Sequence, residues 1–298
     1  MVKAWLSAFR LRTLPLALAS IGMGSFLAAS QDKFDGQILL WCLITTIFLQ
    51  ILSNLANDYG DTIHGADSAE RTGPQRAVQA GLITRSQMLR AIVLFVILSF
   101  AAGIYLLYIA VEFDSSTFLF FLGLGILAIL ASMAYTMGKK PYGYSGLGDI
   151  SVLIFFGWVG VLGTFFLHTK FLDWQIMLPA TSCGLFATAV LNLNNIRDID
   201  SDKKAGKNSI PVRLGRKNAT YYHFFLLGTA LLTSVIYVSL NFYSYYQWTF
   251  LLVLPLLVIN VKAVLTKKTA LELDPYLKQM AISTLVFVLT FGIGQIMG

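Results

Sequence analysis

The sequence predicts an all-α, polytopic membrane protein: nine transmembrane helices around a central cavity open to the cytoplasmic side. Composition is the first of three observations behind this. The 298 residues are 56% hydrophobic and only 12% charged, with a mean hydropathy of +0.70, about half the charge of a soluble domain. The second is a set of nine apolar runs, each near the length of about 20 residues that spans hydrocarbon as a helix. The third is charge placement: of the 22 Lys and Arg, only Lys33 and Lys170 fall on loops assigned to the outer side. The net charge of +7 therefore records topology, with the amino terminus cytoplasmic and the carboxyl terminus outside. Membrane lipid is the expected surround, and no nucleic acid is implied.

The runs cover residues 15–31, 37–56, 88–110, 117–136, 149–168, 174–195, 221–241, 246–264 and 279–297. Lys3, Arg10 and Arg12 precede the first, which has the look of a signal peptide. Arg12-Thr-Leu-Pro15 reads instead as a helix entry, and eight further runs follow, so an uncleaved span is expected. Cys42 and Cys183 lie within apolar runs and read as small buried hydrophobes rather than a disulfide or metal pair. The outward loops are too short to fold alone, so one transmembrane domain over 1–298 is expected, with function in the bundle or on its cytoplasmic rim.

Two motifs stand out because they put carboxylates at the end of an apolar run, where charge is costly and marks a site. The first is Asn54-Leu-Ala-Asn57-Asp58-Tyr-Gly-Asp61, and the second Asn194-Asn-Ile-Arg197-Asp198-Ile-Asp200-Ser-Asp202. On a helix Asn54, Asp58 and Asp61 follow an i, i+4, i+7 stripe, and Asn194, Asp198 and Asp202 an i, i+4, i+8 stripe. The motifs close the second and sixth runs, so both emerge on the cytoplasmic face. This four-helix offset implies a pseudo-repeat, with motifs at 54–61 and 194–202 facing each other across the cavity.

Asp58, Asp61, Asp198 and Asp202 suit a hard divalent cation, Mg²⁺ in particular, held by a few carboxylates with water and substrate phosphates. Arg71 and Arg76 flank the Gly73-Pro74 turn, and Lys203, Lys204 and Lys207 follow the second motif. Cations beside carboxylates are what a metal–diphosphate site needs. A third cytoplasmic loop, Tyr135 to Asp149, is dense in Gly and aromatics and carries Lys139 and Lys140; its glycines serve either close approach to a phosphate or the turn alone. His64, His168 and His223 share no metal-ligand spacing. A cation transporter would use the same Asp residues, but its ligands usually sit near the midplane on broken helices.

The paired motifs resemble those of the intramembrane aromatic prenyltransferase superfamily typified by 4-hydroxybenzoate polyprenyltransferase. Asn54 to Asp61, Arg71-Thr-Gly-Pro-Gln-Arg76 and Leu193 to Asp202 look closest to the branch that prenylates 1,4-dihydroxy-2-naphthoate in menaquinone biosynthesis. Gly206-Lys-Asn-Ser and Val212-Arg-Leu-Gly215 extend that likeness. In much of the superfamily the first motif places its second Asp four residues on; here that position is Thr62 and Asp61 serves, a variation like that of the naphthoate branch.

The resemblance implies an enzyme of the bacterial inner membrane. Its donor would be a polyprenyl diphosphate and its acceptor 1,4-dihydroxy-2-naphthoate, joined with loss of CO₂ and diphosphate to give demethylmenaquinone. A sister acceptor such as 4-hydroxybenzoate is the alternative. By the same carry-over Asp58, Asp61, Asp198 and Asp202 bind Mg²⁺ and Asn54 and Asn194 orient the site. Arg71, Arg76, Lys139, Lys140, Lys203 and Lys207 are the candidates to meet the diphosphate. Tyr135 and Tyr59 would shield the allylic cation, and Arg12 would hold the acceptor carboxylate.

Overall fold

The computed structural model describes residues 1–65, 76–111 and 115–297. Among them nine helices are long and apolar enough to cross a bilayer, one for each run read from the sequence. The expected fold class holds. Arg71 lies outside the described residues.

The chain enters through α1 (Val2–Phe9), which buries Ala4 and Ala8, and turns at Arg10, whose φ is 48°. Pro15 then sits in the first turn of α2 (Leu14–Ala29), where its missing N–H leaves no helical bond unmade. Asp35 caps α3 (Gly36–Ile63) by accepting from the N–H groups of Gln37 at 2.7 Å and Ile38 at 3.2 Å. α3 outlasts its apolar run and carries the whole first motif, which the run boundary at 56 had left in a loop. The reason is that Asn54, Asp58 and Asp61 all turn inward and are buried, so helix continues where lipid exposure ends. A capping box from Thr84 to Gln87 starts α4 (Arg85–Ala110), and α5 (Ser115–Ala134) follows.

The fifth span is composite: α6 (Gly148–Val152), a π-helical stretch (Leu153–Leu162) and α7 (Gly163–Thr169). It seats on α8 (Met177–Arg197) through a pair of glycines. A Cβ on Gly157 would stand 2.9 Å from the Cα of Gly184, the close approach by which small residues join helices in lipid. α8 does not run on through the second motif as a continuous stripe would require. It stops at Arg197, and Asp198 (φ −100°, ψ 12°) joins it to the short α9 (Ile199–Lys204). The Asp202 N–H still reaches the Asp198 carbonyl at 2.8 Å, so the two carboxylates stay one turn apart.

α10 (Ile210–Leu240) begins earlier than expected because a first turn with Pro211 is bent off at Gly215, φ 75°. A 3₁₀ stretch (Tyr245–Val253) leads into α11 (Leu254–Thr266). α12 (Ala270–Ile296), started by a capping box from Thr269 to Glu272, closes the bundle. α8 packs most extensively on α10, α3 on α4, and α2 on α12. The larger core gathers Phe186, Phe250, Phe287 and Phe291, all fully buried, with the Phe186 and Phe287 rings 4.6 Å apart. Cys42 and Cys183 are free and buried, as expected.

Candidate functional site

A cavity of about 650 Å³ runs through the bundle. Asp61, Asp198, Asp202, Tyr135 and Lys207 line one end, and Cys42, Leu107 and Leu167 the other. From Asp61 back to Cys42, α3 rises about 28 Å at 1.5 Å per residue, so the cavity reaches most of the way through hydrocarbon.

Asp61 is the best-connected carboxylate. It is 2% exposed, pairs with Arg76 at 2.6 Å and Lys207 at 3.1 Å, and accepts from the Tyr144 hydroxyl at 2.8 Å. Lys207 also stands 3.8 Å from Asp202 and 4.8 Å over the Tyr144 ring, so it ties the two motifs together. Its position follows from the end of α9, where Gly206 adopts φ 73° and the Lys207 N–H returns to the Asp202 carbonyl at 2.9 Å.

Asp198 is held differently. Arg197 grips it with two parallel bonds, Nε at 2.8 Å and Nη2 at 2.7 Å, reaches Asp274 of α12 at 2.6 Å, and donates to Asn194 at 3.0 Å. Asp58 faces a smaller side chamber of about 350 Å³. Arg10, Arg12, Arg76, Asn194 and Arg197 line both spaces and form the partition. The Asp58 Oδ2 accepts from the Ala77 N–H at 3.2 Å, while its buried Oδ1 has no hydrogen-bond partner among the described residues.

The four aspartates thus gather at one end of the bundle without forming a single ligand set. Among the described residues no three His, Cys, Asp or Glu side chains are arranged to hold a metal. Yet the donors fit a hard cation: every one is a carboxylate oxygen, and the open Oδ1 of Asp58 is a buried acceptor without a donor.

Asn54 lines the cavity and also fastens the fold. Its amide donates to the Phe9 carbonyl at 2.9 Å and to the Thr13 hydroxyl at 3.1 Å, latching the α1–α2 bend onto α3. Asn54→Ala should cost about 1–2 kcal/mol and open the segment ahead of α2 to protease, read by thermal melting and limited proteolysis in detergent. Lys139, Lys140 and Lys203 are exposed and off the cavity wall. Tyr59 packs into the core beside α4 rather than facing the cavity.

Tyr135 does line the cavity, its ring 5.3 Å from that of Tyr142. Burial, with the charges of Asp149 and Asp61, pushes its phenol well above the usual range, so it stays protonated and can donate but not accept a proton. The histidines serve packing: His168 bonds Ser25, His223 bonds Asn260 and His64 bonds the Gly138 carbonyl. Arg197, Asp274, Tyr144 and Asp149 were not singled out from sequence. Arg197 sits inside the second motif, which was signal enough; Asp274 shares a basic segment with Glu272 and carried none.

The profile of the UbiA prenyltransferase family matches residues 17–285. The chain is 46% identical over 299 residues to 1,4-dihydroxy-2-naphthoate octaprenyltransferase of Haemophilus influenzae, covering 100% of this chain and 97% of that one. To the enzyme of the same description in Escherichia coli K12 it is 46% identical over 292 residues, covering 98% and 94%. Among solved structures it resembles a UbiA homolog from Archaeoglobus fulgidus bound to DMAPP and Mg²⁺, with TM-score 0.65, 16% identity and 99% of each chain covered. The fold, the paired aspartate motifs and these matches make the chain a multi-span membrane protein that belongs to the UbiA prenyltransferase family.

Proposed function

We propose that this chain transfers a polyprenyl group from its diphosphate to 1,4-dihydroxy-2-naphthoate, releasing CO₂ and diphosphate and giving demethylmenaquinol, the reduced form of demethylmenaquinone. One observation carries the reading: a single cavity, about 28 Å from end to end along α3, joins a carboxylate- and cation-lined mouth to an apolar shaft. That is the shape of a diphosphate head with a hydrocarbon tail. Whole-length likeness to naphthoate octaprenyltransferases supports the acceptor. No observation favours ion transport, since the carboxylates lie at one end of the spans and are already matched by Arg76, Lys207 and Arg197.

Asp58, Asp61, Asp198 and Asp202 are the residues that would hold Mg²⁺, the ion named for the Archaeoglobus homolog. Bound there, the ion supplies positive charge to the oxygens of the departing diphosphate. Lys207 and Arg76, already at the mouth, add theirs as the C–O bond breaks. Arg71, from the segment ahead of Arg76, is proposed to join this set. Tyr135 offers the allylic cation a ring face, and the apolar wall keeps water from it. Arg12, exposed where the two chambers meet, is proposed to receive the acceptor carboxylate, with Asn194 beside it. The protein is placed in the bacterial inner membrane with the mouth and amino terminus cytoplasmic, and α3–α4 and α8–α10 as corresponding pairs of the repeat.

Detergent-purified protein, Mg²⁺ and a long prenyl diphosphate should release CO₂ from carboxyl-labelled 1,4-dihydroxy-2-naphthoate, and only with donor and metal both present. Prenylation of 4-hydroxybenzoate without that release would move the acceptor. Inactivity toward every acceptor would end the reading.

A further inference from the structure

Asp149 belongs to neither aspartate motif. It lies at the start of α6 on the wall of the large cavity, 6% exposed, and its Oδ2 is buried with no hydrogen-bond partner among the described residues. The Tyr222 hydroxyl of α10 and the Tyr135 ring are the titratable groups that face it; among the described residues no Lys or Arg pairs with it. A buried polar atom is nearly always partnered, and an ionisable side chain at the edge of hydrocarbon is retained where it does chemistry.

Among the described residues every other carboxylate on the cavity wall has a cationic partner, Asp274 included through Arg197. Asp61 is taken by Arg76 and Lys207, Asp202 by Lys207 and Asp198 by Arg197. Asp58 has an open oxygen but faces the side chamber. Tyr135 keeps its own proton. Among the described residues Asp149 is left as the carboxylate with a buried, unpartnered oxygen on the wall of the main cavity.

We propose that Asp149 takes the proton of the acceptor's ring hydroxyl as the prenyl carbon bonds to the neighbouring, carboxylate-bearing ring carbon, and returns it when CO₂ leaves. The inference rests on the decarboxylative reading above. As the donor's C–O bond breaks, its electron pair leaves with diphosphate. A ring π pair forms the new C–C bond, and the hydroxyl gives its proton to Asp149 and becomes a carbonyl. The C–CO₂⁻ bond then breaks, its pair restoring the ring and leaving a naphtholate oxygen, which recovers the proton. No proton is gained or lost overall, so a base walled off from water suffices. An acceptor that loses a ring hydrogen instead would need a route for that proton to bulk solvent.

The test compares the wild-type chain with Asp149→Asn, using Mg²⁺, a long prenyl diphosphate and carboxyl-labelled 1,4-dihydroxy-2-naphthoate, then 1-hydroxy-2-naphthoates fluorinated to acidify the hydroxyl. Expected for the variant are an unchanged KM for the donor and a kcat lower by about a hundredfold, the lower end of general-base effects. Its rate should climb with hydroxyl acidity while the wild-type rate stays nearly flat. An equal loss on every acceptor would make Asp149 a packing residue and overturn the proposal. Should Asp149→Asn not fold, wild-type single turnovers in D₂O decide: a slower C–C bond-forming step is expected, and an unchanged one refutes the transfer. Wild-type CO₂ release, measured alongside, separates failure of this assignment from failure of the acceptor reading.

Discussion

Asp61→Asn is expected to lower turnover by about a hundred- to a thousandfold, the scale of losing one preorganised cation that stabilises a developing anion, because Asp61 holds Arg76 and Lys207 at the mouth. The amide removes one negative charge from between Arg76 and Lys207 and turns an N–H₂ toward groups that are themselves donors. One amide oxygen must then serve the Tyr144 hydroxyl, Lys207 and Arg76 together, so the tie between the Tyr135–Asp149 loop and α3 weakens. Breaking a buried ion pair costs up to about 3–5 kcal/mol. Here the loss is smaller, because Arg76 also feels Asp58 and Lys207 keeps Asp202. Thermal melting in detergent should therefore show a folded protein with little activity, and near-normal turnover at saturating Mg²⁺ would remove Asp61 from the site.

Gly60 carries the second large effect without any chemistry of its own. A Cβ there would stand 2.5 Å from the Thr136 carbonyl oxygen, a backbone atom that cannot rotate aside. Gly60 lies between Asp58 and Asp61, and Thr136 follows Tyr135, so a side chain drives the first motif and the third loop apart by about the ångström that costs a hundredfold in positioning. Gly60→Ala should lose about that much and Gly60→Val about ten times more, while overpacking costs about 1–3 kcal/mol. Turnover and melting temperature measured on both variants check this. Alanine at wild-type rate would show that the loop need not hold its place.

What could be read from the sequence was whatever a helix repeats locally. The spans, the inward stripe of Asn54, Asp58 and Asp61, and the burial of both cysteines follow from periodicity and the cost of charge in hydrocarbon. What could not be read depends on how separate segments fold back. Lys203 and Lys207 are equivalent as letters, yet the Gly206 turn brings one over Asp202 and leaves the other in solvent. Lys139 and Lys140 looked placed for a phosphate because their loop is glycine-rich, but that loop presents Tyr135 and Tyr144 to the cavity and the lysines to the outside. Asn54 matches Asn194 in register but not in partners: its amide goes to the Phe9 carbonyl of α1, while Asn194 accepts from Arg197. Asp58 looked equivalent to Asp61, and an arginine partition puts them in different chambers.

α5 packs chiefly on α3 and α4, and its Gly125 and Ile126 line the cavity while being exposed on the surface of the bundle. At α5 one helix, the least buried of the spans, stands between the shaft and the surround. A wall one helix thick yields to a longer tail more readily than a packed core does, so prenyl diphosphates of different length are expected to be used at similar rates when offered in competition.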